Sequence, residues 1–152
     1  IKETLQNIDF IESFELKKIY PNKIIINIFE KKPIAILQNK KKKFYISEKL
    51  NKINYSNLEE FKKLPTVFGN EKEFKILYNN LKKINFPSKE ITRYFLFETK
   101  RWDLEISNKT TIKLPPNNYL KKLENFMDLY KDPNYKKYKI FDYRINNQLI
   151  LK

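Results

Sequence analysis

Histidine and cysteine are both absent from this 152-residue chain. Their absence removes the usual acid–base group near neutral pH, the commonest metal ligand and any thiolate site. A hydrolytic nucleophile would have to be a serine or threonine activated by lysine or by a terminal amine. The serines are Ser13, Ser47, Ser56, Ser88 and Ser107, all in turn-like or boundary contexts, and none begins a Ser-x-x-Lys box. Turn and cap roles fit them better. Paired carboxylates support glycoside chemistry. Here Glu59-Glu60 sits in a charged, helix-like segment, and Asp103 and Glu105 share the polar face of one strand. Both pairs read as solvated surface. Phosphate cradles need several glycines, and Gly69 is the only one. These residues predict no enzyme, no cofactor and no metal.

Charge offers a different chemistry. The formal net charge is +14, which invites a polyanion or a membrane surface. Nearly all of that charge is lysine; the only arginines are Arg93, Arg101 and Arg144. Base edges and bidentate phosphates favour the planar guanidinium, so no specific nucleic-acid recognition is expected. Abundant Lys, Asn and Ile also fit A/T-rich codon bias. A basic nucleic-acid-binding domain stands as the alternative reading. Trp102 is the single tryptophan and reads as a core or interface anchor. No run of 18 or more apolar residues is present. The chain starts at Ile1 without a visible signal peptide, and we read it as a piece of a longer protein.

The elements that hold these residues follow from spacing. A hydrophobic fraction of 41% with 15% aromatics supports a real core. Residues Ile1–Ile11 read as the tail of an amphipathic helix. Phe14–Tyr20 and Lys23–Glu30 read as two strands joined at Pro21-Asn22, the second β-branched throughout and covered on both faces. Ile34–Leu37 resumes extended structure. The lysine run after Asn39 is the best boundary candidate, with a solvated hairpin tip as the other reading. Phe44–Ile46 and Leu64–Phe68 read as short strands. Phe74, Leu77, Tyr78 and Leu81 form one apolar stripe on a helix over Glu71–Lys83. Ile91–Glu98, Arg101–Ile106 and Thr111–Leu114 are strand candidates. A second helix, Asn118–Tyr130, turns Leu120, Leu123, Met127 and Tyr130 inward, with Asn117 or Asn118 as cap. Tyr138–Ile145 and Gln148–Leu151 close the chain in extended form. The class is α+β.

Two ordered sets of motifs carry a resemblance. The first is Tyr20-Pro21 between two strands, followed by Glu30-Lys31-Lys32-Pro33-Ile34-Ala35. It is similar to the end of the POTRA domain in FtsQ/DivIB cell-division proteins. The second is Leu64-Pro65 with Gly69, then Arg101-Trp102-Asp103-Leu104, Ile112-Lys113-Leu114-Pro115 and Asp142-Tyr143-Arg144. It resembles the pattern of alphaproteobacterial members. Asn108-Lys109 replaces the usual turn glycine, Tyr143 the usual aliphatic residue, and Ile145 a frequent aromatic.

The resemblance implies residues 1–37 as the C-terminal part of a POTRA domain and 38–152 as an FtsQ-type β domain. The latter would be a mostly antiparallel sheet with two packed helices. It implies a non-catalytic scaffold at the division septum, periplasmic and anchored in the inner membrane by a single pass outside this chain. FtsB-like and FtsL-like partners would dock by adding a strand to the edge Asp142–Leu151, and other septal proteins would use the POTRA part. Carried over residue by residue, the partner-binding set is Lys100, Arg101, Asp142, Tyr143, Arg144, Ile145, Asn147, Gln148, Leu149, Ile150 and Leu151. Arg144 would pair an acidic partner residue, and the Lys100-Arg101 segment would supply a second ion pair.

Overall fold

The computed structural model describes residues 1–152. A short helix α1 (Lys2–Gln6) leads into a hairpin of β1 (Ile11–Ile19) and β2 (Lys23–Glu30), which forms its own two-stranded sheet. Everything after it builds one nine-stranded sheet from β3 (Pro33–Asn39), β4 (Lys42–Ser47), β5 (Lys52–Asn54), β6 (Thr66–Phe68), β7 (Ile91–Leu96), β8 (Trp102–Ile106), β9 (Thr111–Lys113), β10 (Ile140–Asp142) and β11 (Ile150–Leu151). Their spatial order is β11-β10-β9-β8-β7-β6-β3-β4-β5.

Five of the eight neighbouring pairs are antiparallel and three parallel. A parallel neighbour cannot be reached by a tight turn, so a crossover must intervene. Helix α2 (Glu71–Lys83) carries the chain from β6 to β7, and α3 (Tyr119–Lys131) carries it from β9 to β10. The fold is thus α+β, with a mostly antiparallel sheet and two packed helices, as the sequence implies.

Period-2 alternation sorts the sheet into two faces. Leu37, Val67, Tyr94, Leu104, Ile112 and Phe141 stand in one register row and are all buried. Phe74, Leu77, Leu81, Leu123 and Phe126 from the helices close over that row in a single core. The neighbouring row points to the other face and reads Gln38, Phe68, Phe95, Asp103, Lys113, Asp142. At the β5 end that other face is covered too. Ile36, Tyr45 and Ile53 form a second cluster there, capped by Phe10, Tyr55, Phe61 and Leu64. Gly69 sits where a Cβ would lie 2.9 Å from the Leu96 Cβ, so closeness of approach requires it.

Several expectations need correction. The helix at the N-terminus spans only Lys2–Gln6, and Ile11 already belongs to β1. Strand β2 is uncovered rather than sandwiched: Ile24 and Phe29, on opposite faces, are each 51% exposed. Alternating β-branched residues record a preference for cover, which α1 supplies in part to β1 but not to Ile24, Ile26, Ile28 and Phe29 of β2. The lysine run is the tip of the β3–β4 hairpin, with Lys40 in the left-handed region at φ 51°. Strand β3 belongs wholly to the large sheet, so the expected division between 37 and 38 falls inside a strand. Helix α2 has a side-chain cap, Asn70, which accepts from the Glu73 N–H at 2.9 Å. Helix α3 begins after Asn118 at φ 56° without such a bond. Phe126, absent from the expected inward set, is buried, whereas Leu120, Met127 and Tyr130 are half-buried.

Candidate docking edge

A nine-stranded open sheet has two edges, and the chain treats them differently. At the β5 edge, Asp9 Oδ2 accepts from the Asn54 N–H at 3.0 Å. Phe10 stacks on Phe61 at 6.0 Å and meets Tyr45 edge-on. The Lys49 ammonium reaches Glu12 at 2.8 Å, and the Tyr45 hydroxyl donates to the Ser56 carbonyl. The N-terminal unit is therefore fastened across that edge. At the other end β11 pairs only with β10, and no strand of residues 1–152 lies on its outer side.

The register defines what β11 offers. Lys152 N–H donates to the Ile140 carbonyl at 3.1 Å, and Ile140 N–H donates to the Lys152 carbonyl at 2.9 Å. That exchange makes Ile140/Lys152 a hydrogen-bonded pair. The adjacent antiparallel pair, Phe141/Leu151, is then a non-bonded one. The Leu151 N–H and C=O consequently point away from β10, outward from the sheet. Unpaired main-chain groups in that orientation are a template for another strand.

Asp142–Leu151 is a hairpin, not one continuous strand. After Asp142 the chain leaves the ladder; Gln148 N–H returns to the Ile145 carbonyl at 3.2 Å, and Asn147 takes φ 59°. Asparagine tolerates that left-handed conformation, which makes Asn146-Asn147 the turn signal that strand-like alternation masks. Ile145 is 50% exposed in this loop, with Asn147 and Gln148 exposed beside it. Leu149, Ile150 and Leu151 are half-buried, and Leu149 and Leu151 pack on the main core.

The expected gripping side chains divide into free and committed groups. Arg144 Nε donates to Asp142 Oδ1 at 2.9 Å and Nη2 to Oδ2 at 2.6 Å, while the Arg144 N–H also donates to Oδ1 at 3.1 Å. This bidentate bond holds the Asp142 carboxyl below its ordinary range. The Arg144 side chain stays 44% exposed, so its outer edge is open to an acceptor. Tyr143 is only 2% exposed; its hydroxyl donates to Asn125 Oδ1 at 2.9 Å on α3. It secures the hairpin from inside and faces away from any added strand.

Arg101 is likewise committed: it pairs with Asp103 and lies over the Phe97 ring at 3.8 Å. Lys100 is exposed on the β7–β8 turn at φ 59°, three strands from β11.

Register also assembles a row that sequence spacing did not reveal. Asp103, Lys113 and Asp142 lie side by side on β8, β9 and β10, flanked by Arg101 and Arg144. Burial pushes the Asp103 carboxyl up, against the opposing pull of Arg101, Lys113 and Arg144. Charges thus alternate across the uncovered face toward β11. Lys113 and Asn125 were both missed, because only strand order brings them to the site. No group of three or more acidic side chains converges to hold a metal.

Comparison with known proteins matches this architecture. The family model "Cell division protein FtsQ/DivIB, C-terminal" matches residues 35–144. The chain is similar to the cell division protein FtsQ of Rickettsia bellii, 29% identical over 157 aligned positions that take in all of this chain and 58% of the relative. FtsQ proteins of Rickettsia conorii and Rickettsia felis are each 26% identical with the same coverage. The chain spans 58% of the length of these curated relatives. No helix is long and apolar enough to cross a membrane. With strands β4 to β10, both crossover helices and the second set of motifs inside the matched region, this chain belongs to the FtsQ/DivIB family of cell-division proteins.

Proposed function

We propose that this chain is a non-catalytic docking platform of the divisome, which receives FtsB-like and FtsL-like partners by strand addition at β11. The carrying observation is the asymmetry of the two sheet edges. The β5 edge is closed by Asp9 and the Phe10 cluster, while β11 presents the outward main-chain groups of Leu151. An added strand gains main-chain hydrogen bonds there. Arg144, half-exposed beside the edge, selects for an acidic residue on the partner. Ile145, Asn147 and Gln148 form the exposed rim, and Leu149, Ile150 and Leu151 form the strand itself. Lys100 and Arg101 contribute field rather than contact. Residues 1–30 serve as the end of a POTRA unit that meets other septal proteins. The region works in the periplasm at the septum, anchored in the inner membrane by a segment outside these residues.

Amide hydrogen exchange tests the edge directly. Adding a peptide from the C-terminal region of the FtsB-like partner should slow exchange at Leu151 while leaving Asn54 unchanged. Protection at Asn54 in place of Leu151 would move the docking site to the opposite edge and overturn the assignment.

A further inference from the structure

We propose that the concavity between the entry ends of β3, β6 and β7 and the C-terminal half of α2 binds the side-chain carboxylates of a short acidic peptide segment. The cavity has a volume of about 580 Å³. It lies outside the docking edge and does not depend on that reading.

Its deepest polar group is Tyr94, only 1% exposed and part of the cavity lining. The hydroxyls of Tyr45 and Tyr143 donate to acceptors within the chain. The Tyr94 hydroxyl has no such partner, nor has that of Tyr78 beside it. Thr110 Oγ1 is the one fully enclosed polar side-chain atom lacking a partner, so the Tyr94 hydroxyl has access to the cavity. A phenol with no acceptor within the chain, opening on a cavity, is free to donate to a ligand that enters it. Burial raises its pKa, so it stays protonated and able to donate.

Charge supplies the second argument. Lys63, Lys82 and Lys89 all line the cavity, and none is in an ion pair. The Lys82 ammonium stands 4.9 Å from the Tyr78 ring centroid. A single opposing carboxylate, Glu48, shares the wall. Three cations and two phenols against one anion leave a net demand for negative oxygen. Pro33 and Pro65 face the same space as an apolar wall that suits the aliphatic stem of a glutamate.

The same features disfavour phosphate. Prolines lack the backbone N–H groups that cradle phosphate oxygens. The C-terminal turn of α2, which contributes Lys82 to the wall, turns its carbonyls toward this end of the sheet and adds no phosphate-binding N–H groups. A carboxylate, with one charge per group and two acceptor oxygens, needs no backbone cradle and is served by the phenols and ammonium groups present.

The test titrates N-acetyl-Glu-Glu-amide into the protein while aromatic carbon–proton signals of Tyr78 and Tyr94 are followed. Saturable shifts are expected, and N-acetyl-Gln-Gln-amide should produce none. Tyr94→Phe should weaken binding by about 10- to 150-fold, the scale of one hydrogen bond to a charged group, and Lys82→Gln, whose ammonium is exposed, by about 1.5- to 5-fold. Tyr94→Phe should leave the unfolding midpoint unchanged, because its hydroxyl has no partner within the chain. Absence of saturable shifts, equal binding of the glutamine peptide, unchanged affinity in both variants, or tighter binding of inorganic phosphate would each overturn the proposal.

Discussion

Replacing Leu151 with proline separates the docking edge from the hairpin that supports it. The Leu151 N–H points away from β10, because Ile140 and Lys152 form the bonded pair next to it. Proline therefore deletes the donor offered to a partner without deleting a ladder bond of the sheet. The partner loses one hydrogen bond, worth a net ~0.5–1.5 kcal/mol, and one of its carbonyls is left unsatisfied; the combined loss is ~1–3 kcal/mol. That corresponds to a dissociation constant raised by about 5- to 150-fold. Loss of the half-buried leucine side chain lowers stability as well, by ~1 kcal/mol. Calorimetry with the partner peptide, run on protein whose unfolding midpoint is known, reads the two effects apart. Ile145→Pro is the contrasting variant. A continuous strand over Asp142–Leu151 would make it fatal to binding, but Ile145 lies in the turn, and the expected cost is below about threefold. Undiminished affinity in folded Leu151→Pro would refute the register argument. So would a larger loss in Ile145→Pro.

Gly69→Ala should destabilise by ~1–3 kcal/mol, since its Cβ would stand 2.9 Å from Leu96 Cβ and 3.4 Å from the Trp102 ring; denaturant unfolding measures it. Tyr143→Phe should cost ~0.5–1.5 kcal/mol of stability through the lost bond to Asn125 and leave partner affinity unchanged, which paired unfolding and calorimetry check. Asp142 and Asp103 should titrate on opposite sides of the ordinary carboxylate range when followed by carboxyl carbon shifts. The depressed Asp142 gives stability above its unfolded pKa that is lost as pH falls through its folded value. Asp103, raised by burial, has the reverse sign: its protonation returns stability as pH falls through its folded value.

Local pattern carried much of the fold. The stripe Phe74, Leu77, Leu81 located α2 at Glu71–Lys83, because a 13-residue amphipathic helix is specified by its own turns. Leu104 and Ile106 are buried as their alternation requires. Asp103 is buried beside them because Arg101, Lys113 and Arg144 surround it, and those neighbours come from register rather than spacing.

The docking edge was only half legible. Ile150-Leu151 reads as strand, but strand order decides whether a strand is outermost, and that order depends on two crossover helices acting over long separations. The turn at Asn146-Asn147 was available in the residue types and was hidden by apolar flanks. In β2 the β-branched pattern implies cover on both faces, whereas Ile24, Ile26, Ile28 and Phe29 are exposed.

The breadth of the sheet sets a distance and an orientation between the two ends of the molecule. From β5 to β11 there are eight strand intervals. At ~4.8 Å each they amount to about 38 Å, and a rotation of ~20° per interval accumulates to about 160°. The sheet is thus a ruler whose two edges are separated by its full breadth and differently oriented by its accumulated twist. On the docking reading, a partner added at β11 therefore stands the full breadth of the sheet away from the unit fastened at β5.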